Sequence, residues 1–431
     1  MRKIKVVDLF SGAGGLLEGF MQSGLYIPQA SVEWEKAPVD TLRNRLKTKW
    51  GISDANDTVI WFDMQRTDEL FSGFDDEKYG KSKGLDYYIG DKTDVIIGGP
   101  PCQAYSQAGR TKDEHGMKYD YRNYLFEYYL KTVDRYQPEL FVFENVPGML
   151  SAMPDGTPIV DLIKADVQKI GYEIVEDIRN HALIDMSDYG VPQNRKRVIL
   201  VGLKKNGNTY EECQQFLTEF YDKILPKYQS EKKISVEEAI GDLPKAFPLE
   251  EPVYIKGIGR QSYTVPDGDP TWGHVVRFQN QRDIEIFGLL TEDIESGKNE
   301  LQSADKLNEI YNKATGGNSK VHKYHVLRRD QPSTTITAHL HKDGLRFIHY
   351  DSQQSRTITV REAARLQSFP DDFEFLSTRG NQYKMIGNAV PPEFARRLSS
   401  AVRDFLIYLD ENENRKLDFH QNWEEVSKCQ L

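Results

Sequence analysis

Hydrophobic and polar positions alternate along the first half of the chain in a way that predicts strands separated by helices. Short β-branched or aromatic runs, each bounded by Gly, Pro or Asn, predict strands at Ile4–Leu9, Gln29–Glu33, Asp94–Gly98, Leu140–Glu144, Tyr172–Ile178 and Lys196–Gly202. Between 159 and 170 the apolar residues instead share one helical face, and Gly171 follows where a helix end favours glycine. This alternation predicts an α/β fold with an open, mostly parallel sheet and helices on both faces.

The pattern changes after about residue 203. Residues 209–230 predict a charged helical insert, and Ser235–Ile240 predicts a short capped helix that ends at Gly241. From Pro244 to about Lys320 the chain is rich in Gly, Pro, Asn and aromatic residues with little periodicity, which predicts a separate, smaller, irregular domain. Strand and turn patterns then return, with helices at 361–367 and 392–409. We therefore expect a large domain interrupted by a smaller one, and a charged tail after residue 410.

Length and composition are those of a globular protein. The 431 residues suggest two or three domains, and no apolar run approaches the roughly 20 residues of a membrane span. The first residues carry no signal-peptide pattern. Three scattered cysteines predict neither a disulfide framework nor a metal site, and they favour a reducing cytosol. The net charge of −10 argues against a uniformly basic surface for nucleic acid but allows a local basic cleft.

Residues suited to ligand binding cluster where the predicted strands end, the edge at which open α/β sheets bind ligands. The first strand leads into a glycine-rich turn and a helix N-terminus within Asp8–Gly15. Leu17 stands where a dinucleotide-binding fold needs a small residue, so NAD fits poorly. Glu33, Trp34 and Asp63 offer a ribose acceptor, a stacking surface and an acceptor for an exocyclic amine. The glycine-rich turn and these three residues together predict a ligand that contains adenosine but no pyrophosphate. The alternative is that the glycine-rich turn is purely structural and binds no ligand.

Candidates for catalysis follow the later strands. Two prolines stiffen the backbone before Cys102, and its polar, turn-like surroundings favour a nucleophile over an inert buried thiol. Glu144 ends a strand among apolar residues, which predicts a proton donor rather than a solvated loop acid. Strand alternation sends Arg195 and Arg197 to one face, although such a charge run is also typical of a solvated edge.

Six motifs, in this order, resemble the DNA (cytosine-5)-methyltransferase family. They are Asp8–Gly15, Gly99–Ser106, Glu144–Val146, Gln193–Arg197, Arg361–Gln367 and Gly387–Pro392. The resemblance implies a Rossmann-like S-adenosylmethionine-dependent methyltransferase sheet with a smaller target-recognition domain, acting on double-stranded DNA and releasing S-adenosylhomocysteine. It implies a catalytic domain at 1–244, the recognition domain at 245–322, a return to the catalytic domain at 323–410 and a tail at 411–431. Departures from the family pattern at His349-Tyr350 and Ser377-Thr378 affect only local loop geometry.

The resemblance also implies the site residues. Cys102 would attack C6 of a flipped-out cytosine, Glu144 would act as the acid at N3, Arg197 would hold O2, and Arg195 would support Glu144 and the phosphates. The cofactor would be held by Phe10, Ser11, Gly12, Gly14, Gly15, Glu33, Trp34, Asp63, Pro100, Asn388 and Val390. The candidate DNA contacts are Gln103, Ser106, Arg110, Arg277, Arg282 and Arg328. Twelve basic and twelve acidic residues lie between Lys245 and Arg329, so DNA binding must depend on local patches.

Two other functions stay open: an RNA cytosine methyltransferase of the same fold, and a catalytically silent DNA-binding regulator. The long recognition domain and the residues after Cys102 favour DNA, and the intact catalytic residues argue against a silent regulator. A single catalytic unit with one recognition domain is typical of bacterial restriction-modification systems. The resemblance therefore implies a bacterial cytosol and a partner endonuclease, and it does not explain the insert at about 209–230. The net negative charge and the single active site favour a monomer.

Overall fold

The computed structural model describes residues 3–101, 125–153, 156–264, 272–321, 323–342 and 344–413. The chain forms two compact units, the first from residues 1–190, 195–231 and 390–431 and the second from 191–194 and 232–389. In the described ranges, no helix is long and apolar enough to cross a membrane. Residues 323–389 thus pack with the second unit, whereas the sequence predicts that they return to the catalytic domain; that functional assignment stays a prediction.

The described strands are short and well separated along the chain. In chain order they are β1 (Ile4–Leu9), β2 (Tyr26–Glu33), β3 (Val59–Trp61), β4 (Phe74–Asp76), β5 (Gly80–Ser82), β6 (Val95–Gly98), β7 (Leu140–Asn145), β8 (Tyr172–Glu173), β9 (Leu183–Asp185), β10 (Gln193–Asn194), β11 (Lys196–Lys204), β12 (Pro248–Ile255), β13 (Gly259–Tyr263) and β14 (Ser333–Thr334).

Helices fill most of the connections between these strands. The described α-helices are α1 (Gly15–Gln22), α2 (Lys36–Thr48), α3 (Ala55–Thr58), α4 (Thr67–Ser72), α5 (Leu85–Ile89), α6 (Leu125–Tyr136), α7 (Ile159–Lys169), α8 (Ile178–His181), α9 (Tyr210–Glu219), α10 (Val236–Ile240), α11 (Gln281–Glu295), α12 (Ala304–Thr315), α13 (Val360–Leu366), α14 (Arg379–Asn388) and α15 (Pro392–Glu413). Single 3-10 or π turns lie at Pro147–Ser151, Met186–Tyr189, Phe220–Ile224, Leu225–Tyr228 and Ala338–His341.

The first unit is built on a sheet of eight strands in the order β3-β2-β1-β6-β7-β11-β8, with β9 also paired to β11. The five strands from β3 to β7 along this order pair in parallel, and β11 runs antiparallel to β7, β8 and β9. The strands β6 and β7 are almost entirely buried, as continuous apolar runs require when helices cover both faces. The prediction of an α/β fold with a mostly parallel sheet is confirmed.

Most predicted elements are present, with one exception in this sheet. The strand predicted at Tyr172–Ile178 is only two residues long, because β11 offers hydrogen bonds to Tyr172 and Glu173 alone and the chain then turns into α8. The predicted helix after residue 159 ends before Gly171, whose φ of 86° is the left-handed conformation expected there. The predicted helix at 392–409 continues to Glu413. The predicted tail lies outside the described residues from 414 onward.

The second unit is less irregular than the sequence pattern predicts. It holds a hairpin of β12 and β13, and the helices α11 and α12 pack with Tyr324, Val326 and Ile348 around a small apolar core. The expectation of little periodicity between 244 and 320 is therefore wrong for these two helices. Asn280 and Ser303 cap their N-termini through side-chain oxygens, which is the local signal that marks where each helix begins.

Candidate active site

The loop between β1 and α1 is held in an unusual backbone conformation. Phe10, Gly12 and Gly14 all have positive φ, at 55°, 53° and 86°. The loop closes through the Gly14 N–H, which donates to the Ser11 carbonyl at 2.8 Å, and Ser11 N donates to the Val32 carbonyl at 3.1 Å. A Cβ at Gly14 would lie 2.5 Å from a Leu42 methyl carbon, whereas one at Gly12 would meet nothing within 4 Å. Close packing therefore requires glycine at 14, and the space beside Gly12 is open.

Glu33 ties this loop to the end of β2. One carboxylate oxygen accepts the Gly12 N–H at 2.9 Å, and the other accepts the N–H groups of Trp34 and Glu35 at 2.9 and 2.8 Å. Burial raises the pKa of Glu33 to about 7, although these backbone hydrogen bonds favour the ionised form and oppose the rise. Glu33 is therefore a fixed acceptor at the edge of the loop.

Trp34 and Asp63 flank Glu33. Trp34 is 47% exposed, and its carbonyl accepts the Trp61 indole N–H at 2.8 Å. The Phe62 N–H donates to the Glu33 carbonyl at 3.0 Å, which brings the half-buried Asp63 to the same edge of the sheet. The structure thus brings together the glycine loop, Glu33, Trp34 and Asp63, as the sequence predicts for a ligand-binding edge.

Asp8 is a buried carboxyl that sequence reasoning missed as a candidate in its own right. It is 1% exposed on β1, and within the described part of the chain neither of its oxygens has a hydrogen-bond partner. Burial, and to a lesser degree the charge of Glu33, raises its pKa well above the ordinary range. The signal was a lone acid inside an apolar strand, where an unpaired charge is costly. Such a carboxyl favours the binding of a cation next to it.

The catalytic candidates Glu144 and Arg197 form an ion pair. The Arg197 Nε lies 2.9 Å from a Glu144 oxygen, and both side chains are 13% exposed. The strand register explains the pairing, because β11 places Ile199 directly opposite Glu144 and puts Arg197 two residues away on the same face. Arg195 is 1% exposed, and its carbonyl accepts the Met186 N–H at 2.9 Å.

The chain next to Glu144 is also fixed. A Cβ at Gly99 would lie 2.9 Å from the second Glu144 oxygen, so only glycine leaves that oxygen room. The Asn145 amide donates to the Pro100 carbonyl at 3.4 Å and its oxygen accepts the Val146 N–H at 2.8 Å. Asn145 is a positioning residue that the sequence analysis did not single out, although it lies within the Glu144–Val146 motif. These contacts fix the backbone two residues before Cys102.

Several predicted residues lie elsewhere or outside the described chain. Val390 is buried in the first unit just before α15, whereas Asn388 is exposed at the end of α14 in the second unit. Cys102, Gln103, Ser106 and Arg110 lie outside the described residues.

The three predicted DNA-contacting arginines of the second unit already make contacts within the protein. Arg277 is 9% exposed, donates to the Leu340 carbonyl at 3.0 Å and lies over the Tyr383 ring. Arg282 donates to the Ala314 carbonyl at 2.7 Å near the end of α12, and Arg328 donates to the Asn299 side chain at 2.9 Å. Arg277 would have to leave a buried position to reach DNA, while the other two remain candidates at the surface.

The described residues fit S-adenosylmethionine. Asp8 is a buried carboxyl without a partner and suits a cationic ligand, Glu33 suits hydroxyl groups, and the space beside Gly12 leaves room against the backbone of the loop. The N-terminus of α1 adds N–H groups that attract a carboxylate. Cationic, hydroxyl and carboxylate groups are all present in this cofactor.

Comparison with known proteins identifies the family. The family model described as C-5 cytosine-specific DNA methylase matches residues 4–403. The type II methyltransferase M.Bpa9945I of Bacillus paralicheniformis is 34% identical over 465 residues, covering 93% of this chain and 99% of that protein. The type II methyltransferase M1.HphI of Haemophilus parahaemolyticus is 29% identical, covering 92% of this chain and 86% of that protein.

A solved structure supports the fold. The methyltransferase EhMeth of Entamoeba histolytica superimposes with a TM-score of 0.54 at 14% sequence identity, covering 94% of this chain and 99% of that one. At this identity the likeness concerns the fold alone. The family match over nearly the whole chain and the relative at 34% identity carry the assignment. The chain therefore belongs to the family of C-5 cytosine-specific DNA methylases.

Proposed function

We propose that this enzyme transfers a methyl group from S-adenosylmethionine to C5 of a flipped-out cytosine within a short, specific duplex DNA sequence. The observation that carries the proposal is the Glu144–Arg197 ion pair beside Gly99, three residues before Cys102. An acid and a cation in contact beside Gly99, with a thiol three residues further along the chain, suit nucleophilic attack on a pyrimidine ring. Extrusion of the base from the duplex costs a few kcal/mol, which contacts to the extruded base must offset.

The chemistry requires activation of C5, which is a poor nucleophile in an aromatic ring. Addition of the Cys102 thiolate to C6 would form a covalent intermediate in which C5 has enamine character. Glu144 would donate or share a proton at N3, where electron density accumulates, and Arg197 would hold O2. Arg195 would support Glu144, whereas its exposure of only 1% disfavours the predicted contact with the DNA phosphates. Loss of the C5 proton and of the thiol after methylation restores the aromatic ring.

The cofactor would be held at the edge formed by the ends of β1 and β2. When bound, S-adenosylmethionine supplies an electrophilic methyl group on a sulfonium centre. Glu33 would accept the ribose hydroxyls and Asp63 the adenine amine, while Phe10 and Trp34 would contact the adenine. The methionine part would lie along the backbone from Gly12 to Gly15, with Ser11, Pro100 and Val390 completing the pocket. A role for Asn388 stays a prediction from the resemblance. We add Asp8 to this set because its buried carboxyl has no partner in the described chain.

The recognition domain would lie at 245–322, within the second unit. The end of the β12–β13 hairpin is an exposed part of this segment, where Tyr254 is 80% exposed and Val253 and Ile258 are 45% and 42% exposed. The side chains of Lys256 and Arg260 flank this apolar end and suit a DNA backbone. Arg282 and Arg328, together with Gln103, Ser106 and Arg110, are the further candidates for DNA contacts.

The biological setting we propose is a restriction-modification system. The enzyme would act as a monomer in a bacterial cytosol, and a partner endonuclease would cut the same sequence when it is unmethylated. The support is indirect: similar proteins are type II methyltransferases. The proposal requires that the recognised sequence be short and that every copy in the genome be modified.

Base-resolution methylation mapping tests this function. The protein and its Cys102→Ala variant would be expressed in a host that has no cytosine methylation of its own. We expect 5-methylcytosine confined to one short motif with the wild type, and none with Cys102→Ala, although the variant still binds S-adenosylmethionine. Turnover by the variant within about tenfold of wild type would contradict the nucleophile assignment. An unmethylated genome despite folded, cofactor-binding protein would favour RNA as substrate or a binding role.

A further inference from the structure

The strand β11, which carries Arg197, is paired with β7 along one side, but along part of its other side no strand of the described residues pairs with it. On its first side, β11 pairs with β7 from Val198 to Leu203. On its second side it pairs with β9 at residues 196–198 and with β8 at residues 203–204. Between these two short partners, no strand of the described residues lies beside Ile199 to Gly202 on this second side. Buried N–H and C=O groups in such a gap need other partners.

The hydroxyl of Tyr221 is the hydrogen-bond partner of two of these backbone groups. It donates to the Ile199 carbonyl at 2.8 Å and accepts the Val201 N–H at 2.9 Å. The Ile199 N–H in turn donates to the Ala182 carbonyl at 2.9 Å. Tyr221 itself is 5% exposed. A single side-chain oxygen therefore takes the place of a missing strand in the middle of β11.

Tyr221 lies in the insert at about 209–230, which the family pattern leaves unexplained. Its helix α9 starts with a capping box of Thr209 and Glu212, and the π-helical turn Phe220–Ile224 carries Tyr221. Phe220 lies 5.1 Å from Phe405 of α15, measured between ring centroids. Asp222 in the same turn contacts His181 at 2.9 Å. The turn that holds Tyr221 is therefore anchored on both sides within the first unit.

The position of Ile199 bears on the catalytic pair. Ile199 is the register partner of Glu144, and Arg197 lies two residues away on the same face of β11. The 2.9 Å contact between Arg197 Nε and Glu144 depends on that register and on the tilt of the strand. The Tyr221 hydroxyl, which bonds to the carbonyl of Ile199, restrains both the register and the tilt of β11.

We infer that Tyr221 is a positioning residue for the methyl-transfer reaction, holding β11 so that Arg197 stays within hydrogen-bonding distance of Glu144. The inference rests on the proposed function, since it takes Glu144 and Arg197 as catalytic. It also gives the insert a role, namely to complete the second side of the catalytic strand.

The test compares Tyr221→Phe with Tyr172→Phe. Each variant removes only a hydroxyl from a buried tyrosine, and the Tyr172 hydroxyl donates to the Pro138 carbonyl at 2.5 Å, beside the far end of β11. We expect Tyr221→Phe to lower kcat about tenfold, as the loss of both hydrogen bonds to buried backbone groups allows, with KM for DNA and Kd for the cofactor within about twofold of wild type. Tyr172→Phe should keep kcat within about twofold. Equal losses in both variants would overturn the inference.

A double-mutant cycle separates positioning from general weakening of the fold. If Tyr221 acts through Arg197, adding Tyr221→Phe to Arg197→Lys should lower kcat no further, because the geometry it maintains is already lost. Independent, multiplying effects would overturn the inference. All assays are run well below the melting temperature of each variant.

Hydrogen exchange distinguishes failure of this inference from failure of the proposed function. Should the wild type methylate no cytosine, the proposed function fails, and the exchange of β11 amides still tests the positioning. We expect Tyr221→Phe to speed exchange in the peptide that covers residues 196–201, and Tyr172→Phe to leave it unchanged. Unchanged exchange in Tyr221→Phe would overturn the inference.

Discussion

Asp8 and Glu33 are two carboxyl groups buried at one edge of the sheet, and burial disfavours the ionised form of both. Asp8 is 1% exposed and Glu33 7% exposed, and burial raises the pKa of both. Without a cation nearby, ionising either group in the folded protein is unfavourable. These residues therefore destabilise the free enzyme at neutral pH, which is the usual cost of a site shaped for a charged ligand.

The sign of the pH effect follows from the raised pKa values. Because the pKa of Glu33 rises from its ordinary value of 4.5 to about 7, the folded state holds a proton in this range that the unfolded state has lost. The stabilisation by this proton is present below the unfolded value and is lost as pH rises from about 4.5 to 7 and above. The raised pKa of Asp8 acts with the same sign, starting from 3.8.

Replacing Asp8 with asparagine, its neutral isostere, should remove the destabilisation of the folded protein that this carboxyl causes above its ordinary pKa. We expect Asp8→Asn to raise Tm above that of the wild type at pH 8 in the absence of cofactor, and the gain to shrink as pH falls toward 5. The same variant should bind S-adenosylmethionine more weakly, since it loses the charge that favours a cation. Thermal melts across pH and calorimetric titration measure the two effects.

Asp91→Asn serves as the control, because Asp91 is exposed in the turn before β6. It should leave Tm unchanged at both pH values and should not affect cofactor binding. A variant Asp8→Asn that melts below the wild type at pH 8 would contradict the assignment of an unpaired, buried carboxyl.

At the scale of elements, the helix that starts at the glycine loop is held by close packing against the last described helix. Gly19 of α1 faces the start of α15, where an added Cβ would lie 2.4 Å from the Ala395 Cβ and 2.4 Å from the Pro392 carbonyl oxygen. Both helices are buried along this contact. The position of the glycine loop therefore depends on a residue just over one turn into α1.

Gly19→Ala should separate α1 from α15. Overpacking of this kind costs about 1–3 kcal/mol, so we expect Tm to fall by several degrees and cofactor binding to weaken. Circular dichroism melts and cofactor titration measure both. The matched control is Gly380→Ala in α14, where an added Cβ meets nothing within 4 Å and alanine is the better helix former. If both substitutions left Tm unchanged, the close crossing would be contradicted.

The elements that the sequence predicts well are those with a local signal. The strands β1, β6 and β7 are continuous apolar runs bounded by Gly, Pro or Asn, and the structure places them within one or two residues of the prediction. The helix α11 has an equally local signal in Asn280 and in the spacing of Ile284, Phe287 and Leu290, but the surrounding charged residues and glycines obscure it.

The contacts that define the site are harder to predict because they are not local. The sequence predicts by alternation that Arg195 and Arg197 share one face, yet only the register of β11 with β7 shows that Arg197 meets Glu144. Likewise, no sequence pattern connects Tyr221 with Ile199, which lie 22 residues apart. Pairing register and side-chain hydrogen bonds across elements depend on the assembled fold.

At the scale of the whole molecule, charge is distributed unevenly, although the segment from Lys245 to Arg329 is neutral by count. The segment of α11 and α12, from Gln281 to Thr315, has eight acidic and four basic residues. The end of the hairpin, from Val253 to Arg260, has two basic residues and no acidic one. A protein with a net charge of −10 can bind a polyanion only where such local positive charge meets it. We therefore expect the hairpin, rather than the helix pair, to face DNA.

The salt dependence of DNA binding tests this distribution. Lys256 is exposed at the end of the hairpin, and Lys306 on α12 is exposed and paired with Glu309 at 3.0 Å. Because each phosphate contact releases counterions, Lys256→Gln should weaken binding to duplex DNA and reduce the slope of log Kd against log salt by about 1. Lys306→Gln should change neither. Fluorescence anisotropy with S-adenosylhomocysteine present measures the Kd for DNA of both variants. Equal slopes of log Kd against log salt for Lys256→Gln and wild type would mean that DNA approaches another face of the domain.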